Sequence, residues 1–229
     1  LGYDEALRTE LRVLLQSAPV ESGGVVAERF IIETRGMLSS RVVTGAAPAV
    51  GFEPPLGDLA VAGRSRVIHM LTRPSGPPGE RAVTAIPRQL EFLKPRPFDG
   101  DFPTLEILGR VPDGYAPASS GDAKPVRGVW SIANSDIFQH VHAREYLYAM
   151  ENRMGALTAD AGLPLADLSP TRAQVIFRRP SLVGDRYELR CSLYIHDRQV
   201  LAMGSFHTVV DDLADDRPAC YLRFQSERS

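Results

Sequence analysis

The chain has 229 residues, 44% of them hydrophobic and 24% charged, a composition that supports a packed core and excludes wholesale disorder. A formal net charge of −2, from 26 basic and 28 acidic residues, provides no positive field to draw nucleic acid, and the longest basic run is Arg178-Arg179. No stretch approaches the roughly 18 apolar residues that span a bilayer, and the charged residues 1–10 do not read as a secretory signal, so no membrane association and a cytoplasmic address are expected.

In chain order, residues 4–17 place Leu7, Leu11, Leu14 and Leu15 on one helical face, which predicts an amphipathic helix. Gly23-Gly24 breaks that pattern, and the β-branched residues of 25–39 predict a strand. The proline-rich stretch 44–57 reads as a loop. Leu59, Val61, Val67, Met70 and Leu71 then predict a second helix between Gly57 and Arg73, ended by the Pro/Gly cluster 74–79. Residues 82–94 and 103–111 read as strands. The Pro-, Gly- and Ser-rich segment 113–125 reads as a linker.

Beyond it the pattern sharpens. A strand over 126–134 leads into a helix over 142–160, in which Ala143, Leu147, Met150, Met154 and Leu157 share a buried face. Strands follow at about 171–179, 185–196 and 199–210, with a short one near 221–224. This is an α+β pattern.

An internal repeat pairs the two parts of the chain. Leu90–Pro95 resembles Val175–Pro180, and Gly100-Asp101 resembles Gly184-Asp185, at offsets of about 84–85 residues. The expected organisation is therefore an N-terminal half (1–112), a linker (113–125) and a C-terminal half (126–229). Cys191 alternates with Leu189 and Leu193 and reads as a small buried side chain rather than a catalytic thiol. With Cys220 it makes neither a disulfide framework nor a zinc pattern, so no metal and no cofactor are expected.

The chemistry concentrates in residues 130–153, WSIANSDIFQHVHAREYLYAMENR, where a strand enters a polar turn and the turn enters the buried helix. The start of such a helix offers free N–H groups and partial positive charge, suited to polarising a thioester carbonyl. Asp136 can serve there as general base or nucleophile, and His140 can bind or protonate the sulfur or carbonyl side. Read more plainly, Asp136 caps the helix that follows, His140 is a packed residue fixing the turn, His142 is a surface residue and Tyr146 packs. His69, His196 and His207 have no recognisable partners and read as structural.

The segment resembles the hotdog-fold thioesterases, in which an Asp, a turn, a His-Val-Asn-Asn stretch and a Tyr open the central helix. The matching residues are Asp136, Gln139-His140-Val141, His142-Ala143 and Tyr146, with Phe177–Pro180 and Gly184-Asp185 resembling the following strand and turn. The resemblance implies a double hotdog, closest in layout to the acyl-carrier-protein thioesterases, with a first half that carries no acid-plus-histidine cluster near Gly51–Gly57. It implies catalytic roles for Asp136, His140 and His142, and substrate contacts from Phe138, Tyr146, Arg178 and Arg179. Acyl-CoA or an acyl carrier protein is the implied substrate, in fatty-acid or polyketide-type biosynthesis, and a homodimer is compatible but not required. The chain departs from the family pattern at Phe138, where an Asn is usual, and at His142-Ala143, where an Asn pair is usual. Those departures keep two alternatives open: a non-hydrolytic enzyme (dehydratase, isomerase, cyclase or acyl transferase) and a non-catalytic acyl-binding subunit.

Overall fold

In the computed structural model the described residues are 5–22, 25–42, 60–73, 83, 85–86, 88, 92, 94–98, 108–118, 123–137 and 139–228. The chain divides into two compact units, Leu1–Asp101 and Phe102–Ser229.

The first unit is an antiparallel meander of β1 (Glu5–Ser22), β2 (Val25–Val42) and β3 (Ala60–Met70), with β2 in the middle. A two-residue strand, β4 (Arg96–Pro97), lies parallel to β1. Pairing of β1 with β2 runs without a shift from Ser22 opposite Val25 to Glu5 opposite Val42. Both helices expected in this part are therefore strands. In β1 the leucines that suit a helical stripe also suit alternation, with Leu11, Val13 and Leu15 on one face, and the β-branched β2 supplies a continuous pairing partner. In β3, Val61, Val67 and Ile68 favour the same outcome once β2 offers its other edge. The described residues within 82–94 lie outside any strand, and within the expected strand 103–111 Leu108 and Gly109 are helical. Residues 44–57, with the turn Gly51–Gly57, lie outside the described residues.

The second unit wraps an antiparallel sheet on one long helix. The strand order is β5 (Ala116–Pro117), β8 (Arg186–His196), β9 (Gln199–Val210), β11 (Cys220–Arg228), β7 (Leu168–Phe177). β6 (Val126–Val129) also pairs with β8, and β10 (Leu213–Ala214) with β9. The helix, α1 (Ala143–Asp160), buries Tyr146, Met150, Met154 and Leu157. They pack with Leu189, Cys191 and Leu193 of β8, Val200, Ala202 and Phe206 of β9, and Leu222 and Phe224 of β11. At Gly204 of β9 a Cβ would collide with Met150 Sδ, so helix and strand approach closely there.

The helix and the strands β7 to β9 stand within a few residues of their expected positions. Three details differ. Ala143 is exposed while Tyr146 is fully buried. The strand expected over 126–134 stops at Val129, because Ile132–Asn134 form a 3-10 turn. The expected linker 113–125 belongs to this unit, since Ala116 and Pro117 pair with Ile195 and Tyr194. An antiparallel sheet against a single long helix is consistent with a hotdog fold. Among the described residues of the first unit no such helix occurs.

Candidate active site at the loop–helix junction

Residues 131–142 join β6 to α1, and Asn134 organises them. Its Oδ1 accepts the backbone N–H of Ser131 at 2.9 Å and the Ser131 hydroxyl at 2.8 Å. Its Nδ2 donates to Glu145 Oε2 on the first turn of α1 at 2.9 Å, and its carbonyl accepts His142 N–H at 2.9 Å. One side chain thus ties the end of the strand segment to the start of the helix.

Between Asn134 and His142 the chain closes into a small loop. Ser135 bridges to Val141, and Asp136 N–H donates to the His140 carbonyl at 2.9 Å. The Asp136 carboxylate accepts His140 N–H at 3.0 Å. Gln139 adopts the left-handed conformation (φ 63°) that this turn requires. The loop is strapped to residues 181–183: Val141 N–H donates to Ser181 O at 2.9 Å, and His140 bridges to Leu182. Asp185 Oδ2 holds that second loop by accepting Leu182 N–H at 2.8 Å.

Asp136 thus meets His140 through the His140 backbone, with Asp136 half-buried and the His140 side chain exposed. His142 occupies the N-cap position of α1 with extended backbone, and its side chain makes no capping bond. The first-turn N–H groups of the helix are thus not capped by it. Tyr146 is only 1% exposed, edge-on to Phe177 and Phe206 and beside Trp130. Burial pushes its phenol above the ordinary value, against hydrogen bonding with Ser181. Tyr146 is thus packed in the core, with its hydroxyl turned to Ser181 of the strapping loop. Phe138 lies outside the described residues.

Arg178 and Arg179 are engaged within their own unit. Arg178 Nη1 donates to Pro218 O at 2.9 Å, and Arg179 Nη2 pairs with Asp215 Oδ2 at 2.7 Å. Both follow Phe177, whose ring touches Tyr146. Cys191 and Cys220 are buried, and burial pushes the Cys191 thiol up to about 12, so neither is a nucleophile at neutral pH.

Two participants escaped the sequence reading, Asn134 and Glu145. The Asn134 hydrogen bond, with a further contribution from Arg144 Nε at 2.9 Å, holds the Glu145 carboxyl below its ordinary value against partial burial. The available signal was an acid in the first turn of a helix, where the dipole favours it. The junction so gathers Asp136, His140, His142, Asn134 and Glu145 within the loop and the first turn of the helix. Among the described residues no cluster of three or more His, Cys, Asp or Glu is placed to hold a metal ion, and no helix is long and apolar enough to cross a membrane.

No protein-family model and no curated protein matches the chain. Among solved structures it is similar to a gentisyl-coenzyme A thioesterase, at 15% identity and TM-score 0.38, over 45% of this chain and 86% of that one. A hypothetical thioesterase from Streptococcus pneumoniae, solved with coenzyme A, matches at 10% identity and TM-score 0.41, over 50% of this chain and 85% of that one. A 1,4-dihydroxy-2-naphthoyl-CoA thioesterase from Synechocystis matches at 12% identity and TM-score 0.39, over 45% and 79%.

Proposed function

We propose that the chain is a thioester-processing enzyme of hotdog type, most simply a thioesterase that releases an acyl group from coenzyme A or an acyl carrier protein. The observation that carries the reading is the closed loop that holds Asp136, His140 and His142 against the side-chain-uncapped start of α1. In hydrolysis a water oxygen attacks the thioester carbon while Asp136 takes its proton. The first-turn N–H groups of α1 bind the oxyanion, the C–S bond breaks, and His140, with His142 beside it, returns a proton to the sulfur. Phe138 shapes the acyl end, and Tyr146, packed in the core, supports the loop from beneath. Arg178 and Arg179 serve the phosphates of the carrier arm by exchanging their present carbonyl and carboxylate partners for phosphate oxygens.

A panel of acyl-CoA and acyl-carrier-protein substrates tests this. Asp136→Asn and His140→Ala should each keep the fold and lower turnover at least tenfold, about 1.4 kcal/mol in the barrier. Unchanged turnover in both variants would place the chemistry elsewhere. An apolar ring cannot orient an attacking water, so Phe138→Asn should raise hydrolysis of simple saturated acyl-CoAs.

One observation favours the non-hydrolytic alternative. The Asp136 carboxylate already accepts the His140 N–H, and Ala143 stands where an amide would position water. Consumption of acyl thioester without release of free acid would select that reading. Binding without turnover would select the acyl-binding subunit. The double-hotdog reading rests on the 84–85-residue repeat; a monomer by light scattering supports it, and an obligate dimer counts against an internal partner half.

A further inference from the structure

α1 packs on the face of the sheet that carries Gly204 and Phe206. Strand alternation turns Ser205 and His207 to the other face. There Ser205 Oγ lies 2.9 Å from His207 Nε2, and His207 Nδ1 lies 2.7 Å from the backbone oxygen of Asp215. A carbonyl oxygen only accepts, so Nδ1 carries the proton. In the neutral ring Nε2 is then an acceptor, and Ser205 must donate its hydroxyl hydrogen to it. That polarity, hydroxyl to imidazole to fixed acceptor, is the one an activated serine needs.

The surroundings hold this chain in place. The Asp215 carboxylate accepts Arg179 Nη2 at 2.7 Å and Arg217 N–H at 2.9 Å, and Asp215 N–H donates to Thr208 O at 2.8 Å, so the orienting carbonyl sits in a braced turn. Opposite His207 on β8 stands Glu188, and opposite Ser205 stands Arg190. Arg190 donates to Glu188 at 2.9 Å while its side chain remains 48% exposed. His207 is 4% exposed, whereas Ser205 is only half-buried. Burial keeps the imidazole below its ordinary pKa and therefore neutral at neutral pH.

We propose that Ser205 is a nucleophile with His207 as its base, forming a second reactive site that takes the acyl group of an activated ester. The Oγ–carbon bond forms as Nε2 accepts the hydroxyl proton. The bond from the acyl carbon to the leaving oxygen then breaks, and the proton passes from Nε2 to that oxygen, leaving an acyl-serine and a free alcohol. The Arg190 guanidinium, on the same face, stabilises the negative charge on the carbonyl oxygen.

The test uses the full chain and a fluorophosphonate probe, in which the serine oxygen displaces fluoride from phosphorus. One adduct per chain is expected, mapped by peptide mass spectrometry to Ser205 and absent in Ser205→Ala. His207→Gln should slow labelling about a hundredfold. Because that substitution is buried, the wild type also carries a test that needs no variant: p-nitrophenyl acetate should leave an acetyl group on the Ser205 peptide. Absence of both adducts from Ser205 overturns the proposal. So does labelling of a folded His207→Gln chain at the wild-type rate, which would reduce the pair to a hydroxyl satisfying a buried ring.

Discussion

Both units bury a glutamate on a strand and hold it with two arginines, yet among the described residues only the second has a helix behind that strand. In the first unit Glu33 of β2 is bound by Arg35, two residues along, at 2.7 Å, and by Arg66 of β3 at 2.5 Å. In the second, Glu188 of β8 is bound by Arg190, again two residues along, at 2.9 Å, and by Arg127 of β6 at 2.8 Å. The opposite faces differ. Leu189 and Cys191 of β8 meet α1, whereas beside Glu33 the opposite face carries Val13 and Val67, 68% and 44% exposed. Period-two alternation is enough to build the ion cluster. The apolar core requires an element whose stripe fits the other face.

Removing the centre of that stripe is the largest test of the contrast. Met150 is fully buried and sits against Gly204, which leaves no room for a side chain there. Met150→Ala should cost about 2–5 kcal/mol, the range for truncating a buried side chain and leaving a cavity, read as a lower midpoint in urea. A loss below about 1 kcal/mol would mean that the helix contributes little to holding the sheet.

The sequence was legible where one period dominated. α1 was readable because Leu147, Met150, Met154 and Leu157 recur at helical spacing, and β8 and β9 because they alternate and are bounded by Gly184-Asp185 and Asp197-Arg198. β1 and β3 were misread because their apolar residues fit both periods, and pairing with β2 decided between them. At the junction, residue types alone marked Asp136, His140 and Tyr146. The Asn134 clasp on Glu145 spans eleven positions and depends on the 3-10 turn between them, which no local pattern announces. Likewise His207 read as structural because its orienting partner is a backbone carbonyl, which has no signature in sequence.

The two ion clusters give a smaller and more selective test. Arg35 chiefly, opposed by burial and helped by Arg66, holds the Glu33 carboxyl below its ordinary value of 4.5. For Glu188 burial is the largest influence and pushes upward, but Arg190 and Arg127 together outweigh it. A carboxyl with a lowered folded-state pKa contributes stability that is fully present above its unfolded value. That stability is lost as pH falls through the folded value. Urea midpoints measured from pH 6 down to pH 3 should fall below about pH 4.5 in the wild type. Glu33→Gln and Glu188→Gln should each flatten that fall. If only one does, the two clusters are not equivalent, and the unit that responds is the one whose unfolding is being read.

The smallest effect is expected on the open face of the first unit, and its size is informative because the same substitution can be made inside the second. Val13 is 68% exposed and Val200 is 1% exposed, both on strands. Val→Thr preserves shape and β-branching, so strand preference changes little at either position. What differs is the added hydroxyl. At Val13 water can satisfy it, and stability should move by no more than about 0.5 kcal/mol. At Val200 it enters the core beside α1, where an unpaired hydroxyl costs about 1–3 kcal/mol. A penalty at Val13 as large as that at Val200 would mean that the Leu11–Val13 face is covered in solution, and the exposed sheet face would have to be counted as an interface.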